Sequence, residues 1–215
     1  MRSIQNFKAQ VAQYQLVLSE ISLQDGEITL LYGPSGSGKT SFLLGLLGVL
    51  PSEYKLNLNI HGAETDLGQI QGPQKNCGVV FQFENLFDHI SVYRNLLLVK
   101  PLDESEASFR ARIKGFGIED LLDKKAHVLS GGEQQMVSCV RLFLQQDRHV
   151  LLLDEPWSAM DPENKKKYRQ YLKAYVQAQN IPCLLVSHDE DEATHVQPRF
   201  RYDFNQVARF EKGQP

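Results

Sequence analysis

Eight consecutive residues, Gly33–Thr40, are the part of the sequence whose types and spacing most directly indicate a chemistry. They fit G-x-x-x-x-G-K-[ST] at every fixed position, between an apolar run and a helical pattern. Glycines let consecutive backbone N–H groups wrap around a phosphate at the start of a helix, where the helix dipole favours negative charge. The loop therefore predicts binding of a nucleotide through its phosphates. The residues predicted to bind it are Gly33, Pro34, Ser35, Gly36, Ser37, Gly38, Lys39, Thr40 and Ser41.

Two side chains of this loop have more specific predicted roles. Lys39 would reach the β- and γ-phosphates and is a candidate catalytic residue, and the Thr40 hydroxyl would bind Mg²⁺. A glycine-rich turn that only begins a helix is the alternative interpretation, but the flanking strand and helix favour the phosphate loop. The loop therefore predicts a nucleotide with β- and γ-phosphates and Mg²⁺ as ligands.

Two carboxylates follow the apolar run Val150–Leu153. A buried strand ending at Asp154 suits a contact with Mg²⁺ through water, so Asp154 joins Thr40 as a predicted metal ligand. Glu155 is placed to orient and deprotonate an attacking water, the role of a general base. An Asp-Glu pair by itself is often just the point where a strand leaves the core. Together with the phosphate loop it favours a hydrolytic site.

A second pair of glycines, Gly131 and Gly132, lies within the run L-S-G-G-E-Q-Q. Ser130 and Glu133 have the spacing of a capping box, which is the structural interpretation of this run. A cap does not need the two glycines, which weaken a helix and expose backbone donors. We therefore predict a further anion site at this helix start, serving the nucleotide of a second copy of the chain.

These residues need a scaffold that brings them together. Continuous apolar runs followed at once by polar or glycine residues are typical of strands covered on both faces. Helical patterns separate the runs, so the sequence predicts an α/β fold whose ligands sit beyond the carboxyl ends of central parallel strands. The predicted strands are Ile28–Tyr32, Gly78–Phe81, Val150–Leu153 and Cys183–Val186. The predicted helices are Thr40–Leu50 and two amphipathic faces, one from Met136 to Leu144 and one from Tyr168 to Val176.

The remaining segments complete the domain organisation. Gln13–Leu18 and Ile21–Leu23 are β-rich and predict antiparallel edge strands. Residues 84–139 show only helical periodicity and predict a helical insertion in the sheet domain. We expect one domain over residues 1–215, with core and β-subdomain at 1–83 and 140–215 and a helical subdomain at 84–139.

Composition excludes several classes of protein. The formal net charge of −3 argues against nucleic acid as a partner. The three cysteines lie far apart without His at ligand spacing, so we expect free thiols rather than disulfides or a zinc site. Phe42–Leu50, the longest apolar run, is too short to span a membrane, and the first residues carry no signal-peptide core. Any membrane role is therefore expected to be peripheral.

In this order and spacing, the motifs resemble the nucleotide-binding subunit of an ABC transporter. The resemblance runs from about residue 14 to residue 195, and its most specific part is Leu129–Glu133. It implies a P-loop NTPase core with a mostly parallel sheet, an antiparallel β-subdomain and a helical subdomain. It also implies a head-to-tail homodimer that sandwiches two ATP, with Ser130–Glu133 of one copy contacting the nucleotide held by the other.

Further roles are implied only by this resemblance. Gln82 would approach Mg²⁺ and the attacking water, as both a metal-binding and a catalytic residue, and would sense the membrane subunit. His188 would contact the γ-phosphate as a second catalytic residue. Asp161 would lie in a loop that crosses the dimer interface and bind nucleotide there, although Asp before Pro162 is also an ordinary helix cap.

The sequence departs from the family pattern at several points, and two of them concern the signature helix and the base site. Met136 stands where the family usually has Arg. The aromatic residue that stacks on adenine is expected where Ala12 lies, and Tyr14 is the nearest candidate, with Phe7 a weaker one. Tyr14 is therefore the predicted base-binding residue.

The segment Val79–Leu98 most resembles small importer ATPases of the thiamine, iron and sulfate or molybdate type. This implies a separate transmembrane permease, whose short helix enters a groove between Phe83 and Asn95, and a location at the cytoplasmic face of the inner membrane. A periplasmic substrate-binding protein is a further expected partner. The apolar residues of the groove could equally be simple core. The alternatives are an ABC exporter or lipoprotein-release ATPase, a soluble non-transport ABC ATPase, and a P-loop kinase, which would lack Leu129–Glu133.

Overall fold

The computed structural model describes residues 2–11, 14–50, 52–60, 63–66, 76–82 and 85–212. These residues form two five-stranded sheets and a set of helices. The strands are β1 (Arg2–Val11), β2 (Tyr14–Leu23), β3 (Ile28–Tyr32), β4 (Ser52–Ile60), β5 (Ala63–Asp66), β6 (Cys77–Val80), β7 (Val150–Asp154), β8 (Cys183–Ser187), β9 (Phe200–Asp203) and β10 (Ala208–Lys212). The helices are α1 (Lys39–Leu46), α2 (Val92–Leu97), α3 (Glu106–Ile113), α4 (Gly131–Phe143), α5 (Pro162–Gln179), α6 (Glu192–Val196) and α7 (Phe204–Val207).

The first sheet is parallel and has the strand order β6-β7-β8-β3-β9. All four predicted apolar runs are strands of this sheet, and three of them are almost wholly buried. The prediction that all four are central is wrong for β6, which lies at the edge of the described sheet and alternates in burial. The partly exposed strand β9 was not predicted, because its sequence Phe-Arg-Tyr-Asp lacks a continuous apolar run.

Strand β7 shows why these runs are continuously apolar. Its alternate side chains reach two different clusters, with Leu151 and Leu153 on one face of the sheet and Val150 and Leu152 on the other. The first cluster includes the apolar sides of α4 and α5, and the second includes α1 and the antiparallel sheet. A strand between two helical or sheet layers has no face for polar side chains until it ends.

The second sheet is antiparallel and has the order β10-β2-β1-β4-β5. Here the sequence prediction needs correction, because the two predicted edge strands are one strand, β2, and it lies inside the sheet. The exposed pair Ser19 and Glu20 interrupts the alternation of buried residues, although pairing with β1 continues on both sides of it. Strand β10 covers the other side of β2, a long-range pairing that local pattern does not reveal. Gln13 lies outside the described residues.

The helices follow the predicted patterns with different ends. Helix α1 ends at Leu46 rather than Leu50, and Gly48 follows with a positive φ of 74°. Between residues 85 and 143 the described chain forms α2, α3 and α4 with short 3-10 turns. Across the described ranges, no helix combines the length and apolar character that crossing a membrane requires.

Candidate active site

The carboxyl ends of four parallel strands carry the residues singled out from the sequence. Gly33 follows β3, Gln82 follows β6, Asp154 ends β7 and His188 follows β8. Because parallel strands end at the same edge of a sheet, these groups face one crevice. Contacts of Thr40 with Asp154, and of Glu155 with Gln82 and His188, show that the structure brings them together.

The phosphate loop is occupied by its own lysine. The Lys39 ammonium donates hydrogen bonds to the backbone oxygens of Gly33 at 2.7 Å and Pro34 at 2.8 Å, and contacts the Ser37 hydroxyl at 3.4 Å. Gly38, which precedes α1, has a φ of 101°, a conformation that favours glycine. Burial lowers the pKa of Lys39, and the nearby carboxylates of Glu155 and Asp154 oppose this shift.

Thr40 and Asp154 form the second part of the site. The Thr40 hydroxyl donates to Asp154 Oδ2 at 2.6 Å, although the two residues are far apart in sequence. Burial at the end of β7 raises the pKa of Asp154, an effect that the hydrogen bond from Thr40 counteracts. The next carboxylate, Glu155, raises it further. The strand end therefore holds a carboxylate whose charge is poorly solvated.

Glu155 is held between two side chains from the neighbouring strands. Its Oε1 lies 2.7 Å from Nδ1 of His188, and its Oε2 accepts a hydrogen bond from the Gln82 amide at 3.3 Å. The carboxylate is largely buried, whereas the His188 ring is about half exposed. Glu155 has a positive φ of 47°, and its N–H donates to the Val186 oxygen at 3.0 Å, which fixes this unusual turn of the chain.

Gln135 is a site residue to which the sequence reasoning assigned no role. Its side-chain nitrogen donates to the Ser158 hydroxyl at 3.0 Å, to the backbone oxygen of Gln82 at 3.3 Å and to that of Glu155 at 3.5 Å. Its side-chain oxygen accepts from the N–H of Ala159 at 2.8 Å. This buried amide thus ties α4 to the chain beside both Gln82 and Glu155. Its position directly before the predicted apolar face that begins at Met136 was the signal that could have revealed it.

The start of α4 has a capping box, and only one of its two glycines is required by packing. Ser130 and Glu133 form a reciprocal capping box, in which the Ser130 N–H donates to Glu133 Oε2 at 2.7 Å and the Glu133 N–H donates to Ser130 Oγ at 3.3 Å. A Cβ on Gly132 would lie 2.8 Å from the backbone oxygen of Ala159, so close packing within the chain requires this glycine. A Cβ on Gly131 would be at an ordinary contact distance of 3.6 Å from the Ala159 Cβ. Gly131 therefore has no packing reason to be glycine.

Two other predicted residues lie away from the cluster described so far. Asp161 caps α5 by accepting from the Asn164 N–H at 2.9 Å, as its position before Pro162 predicts. Tyr14 begins β2, where it pairs with Val11 and Lys212 and is 42% exposed. Ala12, where the family aromatic is expected, lies outside the described residues.

The donor set at Thr40 and Asp154 suits magnesium. A hydroxyl and a carboxylate oxygen meet at 2.6 Å beside a loop built for phosphate. Mg²⁺ is usually bound by one or two protein oxygens, with phosphate oxygens and water completing its shell. Within the described part of the chain, no group of three or more His, Cys, Asp or Glu side chains could hold a metal by itself. The site therefore fits a metal that arrives with a nucleotide.

Comparison with known proteins identifies the family. Residues 18–158, more than half of the chain, match the family model described as ABC transporter. The chain belongs to the ABC transporter family. It carries the ATP-binding domain of that family, and the two-sheet fold matches the α/β ABC ATPase fold implied by its sequence motifs.

Curated ABC relatives carry import ATPase names. The molybdenum import ATP-binding protein ModC of Pseudomonas syringae pv. tomato is 35% identical over 187 residues, covering 84% of this chain and 51% of ModC. The sulfate/thiosulfate import ATP-binding protein CysA of Escherichia coli is 34% identical over 207 residues, covering 91% of this chain and 55% of CysA. The chain therefore spans about half the length of these relatives.

A solved structure supports the fold. The ATP-binding cassette MJ0796, solved as a dimer in a post-hydrolysis state with ADP and phosphate, superposes with a TM-score of 0.76. The match covers 100% of both chains at 24% sequence identity.

The first prediction concerns Gln135. Gln135→Leu keeps the approximate volume but leaves the Ala159 N–H and the Ser158 hydroxyl without this partner, so the free energy of unfolding should fall by about 1–3 kcal/mol. Gln134→Leu is the matched control, because this neighbouring amide donates at 3.3 Å to Ala126 and Leu129 in the preceding turn, away from Glu155. Denaturant unfolding measures both variants, and equal losses would contradict a special role for Gln135.

The second prediction concerns the buried charge of Asp154. Since burial raises its pKa, the ionised carboxylate destabilises the ligand-free protein at neutral pH, and this cost disappears as the pH falls below the ordinary carboxylate range. Asp154→Asn should therefore raise the ligand-free melting temperature at pH 7, with a gain that shrinks towards pH 4. Asp161→Asn, at an exposed cap whose pKa is lowered chiefly by the backbone N–H of Asn164, should show no such gain. A lower melting temperature of Asp154→Asn at pH 7 would show that the ionised Asp154 carboxylate does not destabilise the fold.

Proposed function

We propose that this chain is the ATP-binding and ATP-hydrolysing subunit of an importer, which drives a separate permease as two copies close around ATP. The observation that carries the proposal is the Glu155 carboxylate, held by Gln82 and His188 next to the Thr40–Asp154 pair and the phosphate loop. Phosphoryl transfer to water requires a phosphate-binding loop, oxygen ligands for a metal ion and a general base.

Binding of the triphosphate begins with an exchange of partners at Lys39. Its ammonium moves from the carbonyls of Gly33 and Pro34 to phosphate oxygens, which are stronger, charged acceptors. Thr40 and Asp154 would hold Mg²⁺, and Gln82 would reach it from the end of β6. Bound there, Mg²⁺ would neutralise phosphate charge.

Hydrolysis depends on the orientation of Glu155. Its carboxylate accepts a proton from the attacking water, which gains nucleophilic character as it approaches the γ-phosphate. Gln82 fixes one carboxylate oxygen and His188 the other, so the base is held in one orientation before substrate arrives. The half-exposed side of the His188 ring is the part that would contact the γ-phosphate when the site closes.

The second copy completes the site through the start of α4. Ser130 and Gly131 are exposed at the first turn of a 13-residue helix, where backbone donors and the helix dipole suit an anion. In a head-to-tail pair, this helix start contacts the γ-phosphate bound by the other copy. Asp161 lies at the start of α5, after the loop that contacts Gln135, and reaches the same interface.

The chain lies peripherally at the cytoplasmic face of the inner membrane. Its partner there is a separate transmembrane permease, and a periplasmic binding protein delivers the solute. The names of ModC and CysA favour import of an oxyanion such as molybdate or sulfate. Exposed apolar side chains in the helical region offer a docking surface, including Phe87 and Val128. Val92 of the predicted groove is fully buried and belongs to the core.

Glu155→Gln tests the general base. The amide cannot accept the proton, so the hydrolysis rate should fall by about 10²–10⁴-fold while Mg-ATP still binds and the two copies remain paired. Glu27→Gln is the control, because Glu27 precedes β3 at the opposite edge of the parallel sheet. Phosphate release and size-exclusion chromatography with ATP measure the two effects. Normal turnover in Glu155→Gln would remove this residue from the base role.

Substitutions at the two glycines of α4 test packing and catalysis separately. Gly132→Ala should lower the free energy of unfolding by about 1–3 kcal/mol, because its methyl would meet the Ala159 backbone oxygen. Gly131→Ala should fold with wild-type stability but hydrolyse ATP at least about tenfold more slowly, because its methyl would stand between the helix start and the partner's nucleotide. Thermal unfolding and ATPase assays on both variants distinguish these effects. A fully active Gly131→Ala variant would show that this glycine does not face a phosphate.

A further inference from the structure

Base recognition is the part of the nucleotide site that the motifs leave open. The phosphate loop binds any triphosphate through backbone N–H groups, so preference for a purine nucleoside needs an apolar or aromatic surface nearby. If the chain binds ATP, as proposed above, one of its side chains must provide that surface.

Phe210, in the middle of β10, lies directly against the phosphate loop. Its Cζ is 2.7 Å from the position that a Cβ on Gly38 would occupy, and the buried Phe204 lies behind at 3.6 Å. Gly38 is the residue immediately before Lys39, at the start of α1. An aromatic ring from the C-terminal strand therefore touches the loop that holds the phosphates.

The register of the antiparallel sheet places this ring at the margin of a buried apolar surface. Phe210 pairs with Leu16 of β2, and the next pair on the same side is Ala208 with Leu18. Leu16 and Leu18 are fully buried in the cluster that includes α1, whereas Phe210 is 47% exposed. Phe210 thus extends a buried apolar surface to solvent at the point where the phosphate loop passes into α1.

An exposed aromatic ring in contact with a phosphate loop has the properties that a nucleobase needs. Purines stack on aromatic faces, and such contacts tolerate different bases because each base has a π face. Tyr14, the residue predicted from the sequence, lies opposite Lys212, two residue pairs beyond Phe210 and about 7 Å further along the strands. Both rings are exposed, but Phe210 is the one shown against Gly38.

We propose that Phe210 stacks on the purine base of the nucleotide bound by Gly33–Thr40. The base-binding aromatic then comes from the last described strand instead of from the segment before β2. Pairing of β10 with β2 is the structural requirement, because it places residue 210 beside the loop.

Phe210→Ala, measured with two probes, tests the proposal. Mg-ATP carries a base, whereas Mg-tripolyphosphate carries only the phosphates. Affinity for ATP should fall by about 5- to 150-fold, the range that base–aromatic stacking supplies, and affinity for tripolyphosphate should stay unchanged. Tyr14→Ala is the comparison variant and should retain more ATP affinity than Phe210→Ala. Isothermal titration calorimetry measures all four variant–probe pairs and the wild type.

A second variant keeps the test independent of folding defects. Phe210→Trp retains an aromatic ring, so ATP should bind with near wild-type affinity and change the new tryptophan's fluorescence, while tripolyphosphate should not. The wild type, whose single tryptophan is the buried Trp157, provides the background signal.

Three results would overturn the proposal. The first is an unchanged ATP affinity in Phe210→Ala. The second is an equal loss of affinity for both probes in Phe210→Ala, which would indicate a role in loop packing. The third is a loss of affinity for ATP alone that occurs only in Tyr14→Ala. Failure of the wild type to bind either probe would instead reject the proposed ATP-binding function.

Discussion

The need to hold two adjacent carboxylates at the end of a buried strand organises this site. Strand β7 is covered on both faces, so Asp154 and Glu155 emerge where water is scarce and an unpartnered charge is costly. The surrounding elements contribute the partners: Gln82 follows β6, His188 follows β8, and Thr40 lies in α1, which follows β3. The order β6-β7-β8-β3 places β7 between β6 and β8, within reach of all three. A different order would leave one carboxylate without its partner.

The sequence predicted the elements whose burial is locally visible. The runs that became β3, β7 and β8 have apolar side chains at almost every position, because both faces of these strands are covered. Strands β9 and β10 contain charged residues and were missed. Their positions depend on pairing with β3 and β2, which lie far away in sequence. Gln135 was missed for a related reason, because its partners lie on two distant segments, at Gln82 and in the loop between β7 and α5.

The L-S-G-G-E run shows that structural and functional interpretations need not compete. The capping box between Ser130 and Glu133 satisfies backbone donors at the helix start, as the sequence spacing predicts. Gly132 is required by the approach of Ala159, a contact within the same chain. Only Gly131 lacks a structural explanation among these residues. The same run can therefore stabilise α4 and still present an exposed helix start to a second copy.

The Lys39 side chain is held by the backbone of its own loop. The ammonium donates hydrogen bonds to the oxygens of Gly33 and Pro34, so its charge is partnered within the loop. Desolvation lowers the pKa of this lysine, which means that its charged form gains when a polyphosphate approaches. Because neutral carbonyl oxygens are weaker acceptors than phosphate oxygens, the exchange favours the bound state without requiring the loop to refold. The fixed backbone on either side, β3 before the loop and α1 after it, keeps the donors in place during that exchange.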